Sequence, residues 1–204
     1  MILSFDESKL NATLEGYPPK LRAVFAATCA ERLMPAYAKF AEVSNRGAPG
    51  ALQDALRALW QDLLGEKSLQ TDEIAALVAA VTEQIPDEDE EPWVDEQAVA
   101  QDAASAVAYA LRCRQSGESN EAAWAGRCVY EALDGFVIQR WNIDTSQGGS
   151  NDQVMVHPLV QAELGRQQRD LRALAAEHDP CSDVIRMLRD QSQVESRSMF
   201  GDSP

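Results

Sequence analysis

The chain has 204 residues, a length that fits one domain able to bury a hydrophobic core without disulfides or metals. Its 18 Lys and Arg residues against 33 Asp and Glu residues give a formal net charge of -15. This balance argues against direct binding to nucleic-acid phosphates and against adhesion to anionic lipid, because both need a basic surface.

Apolar residues recur at spacings of three and four along most of the sequence, and strand-type alternation is nearly absent. This pattern predicts an all-α protein, a single-domain bundle of seven to eight helices. A first short helix is predicted over 5–14, and a second begins near Pro19 and continues its apolar stripe to Phe40. Pro35 lies inside that stripe and lacks the N–H that would bond to the Glu31 carbonyl. We therefore expect a kink or break near Pro35.

Two more helices are predicted before the middle of the chain. The third has a leucine stripe over 52–63, and the fourth starts at the capping residue Thr71 and ends at Pro86. Residues 86–92 are predicted to form an acidic linker, because the five consecutive carboxylates at 87–91 repel one another and are normally solvated.

The helical pattern continues in the second half of the chain. A fifth helix over about 94–115 has an alanine-rich face that lets a neighbouring helix approach closely. A sixth helix over about 121–141 is apolar around more than half of its circumference, so we expect it in the middle of the bundle. A polar loop is predicted over 144–152.

The C-terminal region is predicted as two helices followed by a tail. The seventh helix starts at Pro158, a favoured first helical residue, and the eighth spans about 182–191. Residues 192–204 are rich in Ser and poor in apolar residues, so we expect this tail to fray. No internal repeat occurs, and residues 1–204 are predicted to form one domain.

Neither targeting nor membrane insertion is indicated by the sequence. The N-terminal segment has no basic leader, and the longest apolar run, 75–81, is too short to cross a bilayer. The four cysteines stand far apart without metal-ligand spacing, which favours reduced thiols over disulfides. We expect a cytoplasmic protein that does not associate with membranes.

Negative charge is concentrated between Ser68 and Leu111, where no Lys or Arg occurs. The carboxylates of this stretch are Asp72, Glu73, Glu83, Asp87, Glu88, Asp89, Glu90, Glu91, Asp95, Glu96 and Asp102. One interpretation is a solvated acidic loop with Trp93 tucked against the bundle. The other is a docking strip for a basic protein partner, with Trp93 as its apolar anchor. We call the residues of that candidate surface the acidic strip: Asp87, Glu88, Asp89, Glu90, Glu91 and Trp93.

No reaction class has its sequence signature in this chain. His157 and His178, the two histidines, stand outside any His-Glu-x-x-His or Glu-x-x-His motif. Motifs for a serine nucleophile, a phosphate-binding loop and a dinucleotide site are absent as well. We therefore predict no catalytic, metal-binding or cofactor-binding residue and no cofactor. Whether the protein is an enzyme stays open, with a non-enzymatic role favoured.

Arg32 is the unusual charge of the second helix, because its position falls on the apolar stripe. A buried guanidinium needs a carboxylate or several carbonyl groups as partners. One interpretation is a structural ion pair that braces the Pro35 kink. The alternative is an anion or small-ligand site that uses Glu31, Arg32 and Tyr37 in a pocket opened by the kink.

The same part of the second helix resembles a known family. Its residues are Glu31-Arg32-Leu33-Met34-Pro35-Ala36-Tyr37-Ala38-Lys39-Phe40. The run resembles the Glu-Arg-x-x-Pro-x-Tyr-x-x-Phe segment of the YjaG-like family, a bacterial family of unknown function, and further matches extend the resemblance over about 20–188. The resemblance implies a small, all-helical cytosolic protein, and it implies no activity.

Three functions are compatible with the sequence. The favoured one is a non-enzymatic protein-interaction module, as a homodimer or with a basic partner. The second is an acidic nucleic-acid mimic that binds a basic DNA-binding protein. The third is a small-ligand binder or enzyme with a pocket near Arg32. Arg166, Arg169 and Arg172 of the seventh helix form either a solvated face or a complement to the acidic strip of a second copy.

Overall fold

In a computed structural model of the chain, residues 2–87, 92–146, 150–176 and 182–200 are described, and their regular structure is helical. The helices of this part are α1 (Glu7–Glu15), α2 (Pro19–Ser44), α3 (Pro49–Leu63), α4 (Thr71–Thr82), α5 (Gln97–Ser116), α6 (Ser119–Trp141), α7 (Ser150–Met155), α8 (Pro158–Ala175) and α9 (Ser182–Ser196). The all-α prediction is confirmed. One helix more than the predicted seven to eight is present, because α7, six residues long, lies partly within the predicted polar loop.

The centre of the bundle is α2. It packs against α3, α5, α6, α8 and α9, and its most extensive contacts are with α5 and α6. Fully buried alanines on these three helices allow the close approach that their alanine-rich sequences predict; they include Ala26, Ala30, Ala103, Ala106, Ala110 and Ala125. The helix with the Glu31–Phe40 run therefore packs against five of the other described helices, and so does α6, which the sequence places in the middle of the bundle.

Pro35 does not end α2, which continues as one helix to Ser44. Of the kink or break expected near Pro35, the break is absent and the kink stays a prediction. Leu33 and Tyr37, on either side of the proline, are both fully buried. Their packing holds the two halves of the helix in place across the backbone hydrogen bond that Pro35 cannot make.

The C-terminal segment is better packed than its composition indicates. The last helix reaches Ser196, and Met199 is buried after it. The ring of Phe200 packs edge-on against Phe136, with 5.2 Å between ring centroids. The predicted fraying of 192–204 is therefore wrong for the described part of that tail, because Met199 and Phe200 pack onto the bundle.

The predicted loop over 144–152 ends earlier than expected, since α7 starts at Ser150. Pro158 takes the first helical position of α8, as predicted, and the side chain of His157 caps that helix. Among the described residues, every helix is too short or too polar to cross a membrane.

Candidate functional site

The two ends of the acidic strip are anchored to the bundle. Nε2 of Gln97 donates a hydrogen bond of 2.6 Å to the carbonyl of Asp87 at one end. At the other end, Nη2 of Arg46 donates to the carbonyl of Pro92 at 3.1 Å and to Oε1 of Gln97 at 2.7 Å. Gln97 is 1% exposed, so this side chain of the clamp is buried, whereas the bond from Arg46 to Pro92 lies at the surface. Residues 88–91 lie outside the described residues.

Tyr37 fixes the backbone just before the strip. Its hydroxyl donates a hydrogen bond of 2.7 Å to the carbonyl of Gln84, and its ring is fully buried. Gly47 lies against the same hydroxyl with a φ of +74°, and a Cβ at this position would stand 2.5 Å from the Tyr37 oxygen. A side chain at Gly47 would therefore both strain the backbone and displace Tyr37. Tyr37 is thus a positioning residue for the strip and not part of a ligand pocket with Arg32.

Trp93 is the exposed aromatic residue of the strip. Half of its side chain, 50%, is accessible to solvent, although the backbone immediately before it is held by Arg46. Asp87 and Asp95 on either side are exposed as well. The interpretation in which Trp93 is tucked against the bundle therefore does not fit this arrangement.

Arg32 lies in a fully buried ion-pair network between α2 and α8. Its Nη1 atom is 2.7 Å from Oδ2 of Asp170, and its Nη2 atom is 3.0 Å from Oε1 of Glu163. Arg32 is 0% exposed, and both carboxylates are 1% exposed. The expected carboxylate partners of Arg32 are therefore present, and they come from the seventh predicted helix.

The buried network continues outward to α9. Both oxygens of Glu195 accept hydrogen bonds from Arg169, and Arg169 also donates to Oδ1 of Asp170. Arg166 lies 3.6 Å from Oε2 of Glu163. Two of the three arginines predicted as a solvated face or a dimer complement therefore serve the network inside one chain. The sequence pattern does not indicate Glu195 as a partner, because this residue lies in the segment 192–204 that is predicted to fray.

Burial and the neighbouring charges act in opposite directions on this network. Burial raises the pKa of the Glu163 carboxyl, and Arg32 and Arg166 oppose that shift. Burial alone would lower the pKa of Arg32, but the negative charges around it raise the value above that of a free guanidinium. Arg32 therefore stays protonated, and its charge opposes the effect of burial on the pKa of Glu163.

Glu31 points to a different place from Arg32. Its Oε2 atom accepts a hydrogen bond of 2.8 Å from Nε1 of Trp60, and burial raises the pKa of its carboxyl. It lines a polar cleft of about 370 Å³ between α2, α3 and α9, together with Arg189 and Gln193. Glu31, Arg32 and Tyr37 therefore occupy three separate environments, and the single pocket that would use all three of them does not form.

The described cysteines and histidine have structural environments. Cys29, Cys113 and Cys128 are free and buried, as expected of reduced thiols, and burial raises the pKa of Cys113 to about 12. The ring of His157 packs on Trp141, with 4.4 Å between ring centroids. His178 and Cys181 lie outside the described residues. No three His, Cys, Asp or Glu side chains of the described ranges form a group suited to a metal ion.

Comparison with known proteins identifies relatives without assigning an activity. A family model described as "Protein of unknown function (DUF416)" matches residues 9–201. A crystal structure of a DUF416 family protein from Shewanella baltica OS155 superposes with a TM-score of 0.76 and 20% sequence identity, over 89% of this chain and 92% of that chain. At that identity the likeness shows the fold alone. No curated protein matches the sequence.

Proposed function

The chain belongs to the DUF416 family of proteins of unknown function, and from its own geometry we propose that it is a non-enzymatic interaction module. Its acidic strip docks a basic segment of a protein partner. The YjaG-like resemblance agrees with a family that has no assigned activity, and that finer name stays a prediction.

The half-exposed Trp93 is the observation that supports this proposal best. When the backbone of a residue is already fixed, little conformational entropy is lost as a partner covers its apolar side chain. Tryptophan is also the residue type most enriched among those that dominate binding energies at protein interfaces. The clamp made by Arg46 and Gln97 holds the backbone at both ends of the strip, so the indole is presented on a backbone fixed just before it.

Charge complementarity selects a basic partner. The stretch from Ser68 to Leu111 has eleven carboxylates and no cation, so its field attracts positive segments over distances beyond direct contact. A second copy of the chain is a weaker candidate partner, because Arg166 and Arg169 are engaged in the network of their own chain. An acidic nucleic-acid mimic would use the same surface, and competition by DNA for the partner would distinguish that function.

Replacement of Trp93 by alanine should weaken binding of a basic peptide at least about tenfold. The probe is a short peptide of alternating lysine and leucine without aromatic residues, and the measurement is isothermal titration calorimetry. The matched control is W141A, because Trp141 is 52% exposed on α6 and is not a residue of the strip, so its replacement should leave the affinity unchanged. Affinity should also fall between about 0.1 M and about 1 M salt, as screening shortens the range of the attraction.

Equal affinities of the two tryptophan variants would contradict the proposal, and so would affinity that does not change with salt. Light scattering on the native chain tests the homodimer. A dimer that W93A dissociates would make the second copy, and not a basic protein, the partner of the strip.

A further inference from the structure

A cleft with a volume of about 670 Å³ lies beside Pro35. Its lining comes from α2, from the segments before and within α5, from the end of α6, and from the end of α9 and the segment that follows it. Small-molecule sites in proteins have volumes of about 300–1,000 Å³ and are formed mainly by apolar walls with a few polar groups. This cleft has that size and is distinct from the acidic strip and from the Arg32 network.

One part of the cleft wall is apolar and aromatic. Pro35, Val99, Phe136 and Phe200 line it, and the two phenyl rings pack edge-on to each other. Pro35 has no backbone N–H, and its ring adds apolar surface in the middle of a helix. Such a wall removes the hydrocarbon part of a ligand from water.

The cations of the cleft lack the neutralisation found elsewhere in the protein. Lys39, Arg140 and Arg197 line it, and among the described residues only Lys39 forms an ion pair, with Nζ 3.2 Å from Oε2 of Glu42. Within the described part of the chain, no carboxylate lies at ion-pair distance from Arg140 or Arg197. The guanidinium of Arg140 instead lies 5.8 Å from the centroid of the Trp141 ring. In a protein with a net charge of -15, two guanidinium groups free to bind an anion stand beside an apolar wall.

Asp95 and Glu96 also line the cleft, and they limit the charge that a ligand can have. They would repel a second anionic group, so the cleft suits a single negative charge better than a phosphate ester or a nucleotide. We propose that the cleft binds a small amphipathic monoanion, such as an aryl or acyl carboxylate or sulfonate. Its apolar body packs on Phe136 and Phe200, and its anionic group bonds to Arg140 and Arg197.

The first test uses 8-anilinonaphthalene-1-sulfonate, an aromatic monoanion whose fluorescence reports binding. We expect saturable binding with one site per chain, displacement by decanoate, and weaker binding of the uncharged analogue N-phenyl-1-naphthylamine. The R140Q/R197Q variant should raise the dissociation constant of the sulfonate about tenfold or more, because two charge-assisted hydrogen bonds are lost. R172Q is the control, since Arg172 is exposed and its side chain bonds to Gln168.

A second pair of variants tests the apolar wall without changing charge. Ala36 lines the cleft and Ala38, two residues further along the same helix, does not. A36F should therefore weaken binding about tenfold or more by filling the cleft, whereas A38F should leave it unchanged. Thermal unfolding and near-UV circular dichroism of each variant establish that it is folded.

Three outcomes would overturn the inference. One is sulfonate binding that R140Q/R197Q leaves at native affinity, and another is an uncharged analogue that binds as tightly as the sulfonate. The third is equal weakening by A36F and A38F. None of these results depends on the acidic strip, so W93A should bind the sulfonate as the native chain does.

Discussion

Replacement of Arg32 by methionine is expected to lower the free energy of unfolding by about 3–5 kcal/mol, a large share of the stability of a typical domain. The reason is the pair of carboxylates that the substitution leaves behind. Glu163 and Asp170 are each 1% exposed, and methionine offers them neither charge nor hydrogen bonds. Burial already raises the pKa of Glu163 while Arg32 is present, and loss of the guanidinium would raise it further.

Urea unfolding monitored by circular dichroism measures this loss, and two further variants define its origin. R57M makes the same replacement at a residue 64% exposed, paired with Asp54 at 2.7 Å, and should change stability by less than about 0.5 kcal/mol. The triple variant R32M/E163Q/D170N removes the buried charges together and should recover part of the loss. A loss of less than about 1 kcal/mol in R32M, or no recovery in the triple variant, would contradict this account of the network.

The sequence indicates half of this network and conceals the other half. Arg32 stands out because its helical position lies among apolar residues. Its partners do not, since Glu163, Arg166, Arg169 and Asp170 form a charged pattern that is typical of an exposed helix face. Only the packing of α2 against α8 shows that this pattern is buried. The charges of α8 look solvated when that helix is considered alone, because their partner Arg32 lies on another helix.

The cleft beside Pro35 shows a second limit of sequence analysis. A pocket at the proline was one of the alternatives that the sequence offered, but the residues assigned to it do not line the cleft found there. Arg140 and Arg197 come from segments distant in sequence, and Phe200 lies in a tail predicted to fray. Helix periodicity finds the elements of a bundle and their buried faces. It does not find which helix ends meet, because that depends on topology.

The second large effect is expected at Asp102, on the side of α5 near α6. Burial, helped by repulsion from Glu131 and opposed by Arg127, raises the pKa of this carboxyl to about 7. The folded state therefore binds the proton more tightly than the unfolded chain, in which the carboxyl has its ordinary pKa of 3.8. The contribution of Asp102 to stability is fully present below about pH 4 and is lost as the pH rises toward about 7.

D102N should accordingly stabilise the protein at pH 8 by about 1–3 kcal/mol relative to the native chain, because the amide occupies the site without a charge. The gain should shrink steadily between about pH 7 and about pH 4 and vanish below that range. Urea unfolding at a series of pH values measures it, with D54N as the control, since Asp54 is 70% exposed. E131Q should lower the upper end of this pH range, because it removes the repulsion that raises the pKa of Asp102 in the folded protein. A gain in D102N that is equal at all pH values would contradict a titrating Asp102 and would point to packing of the amide instead.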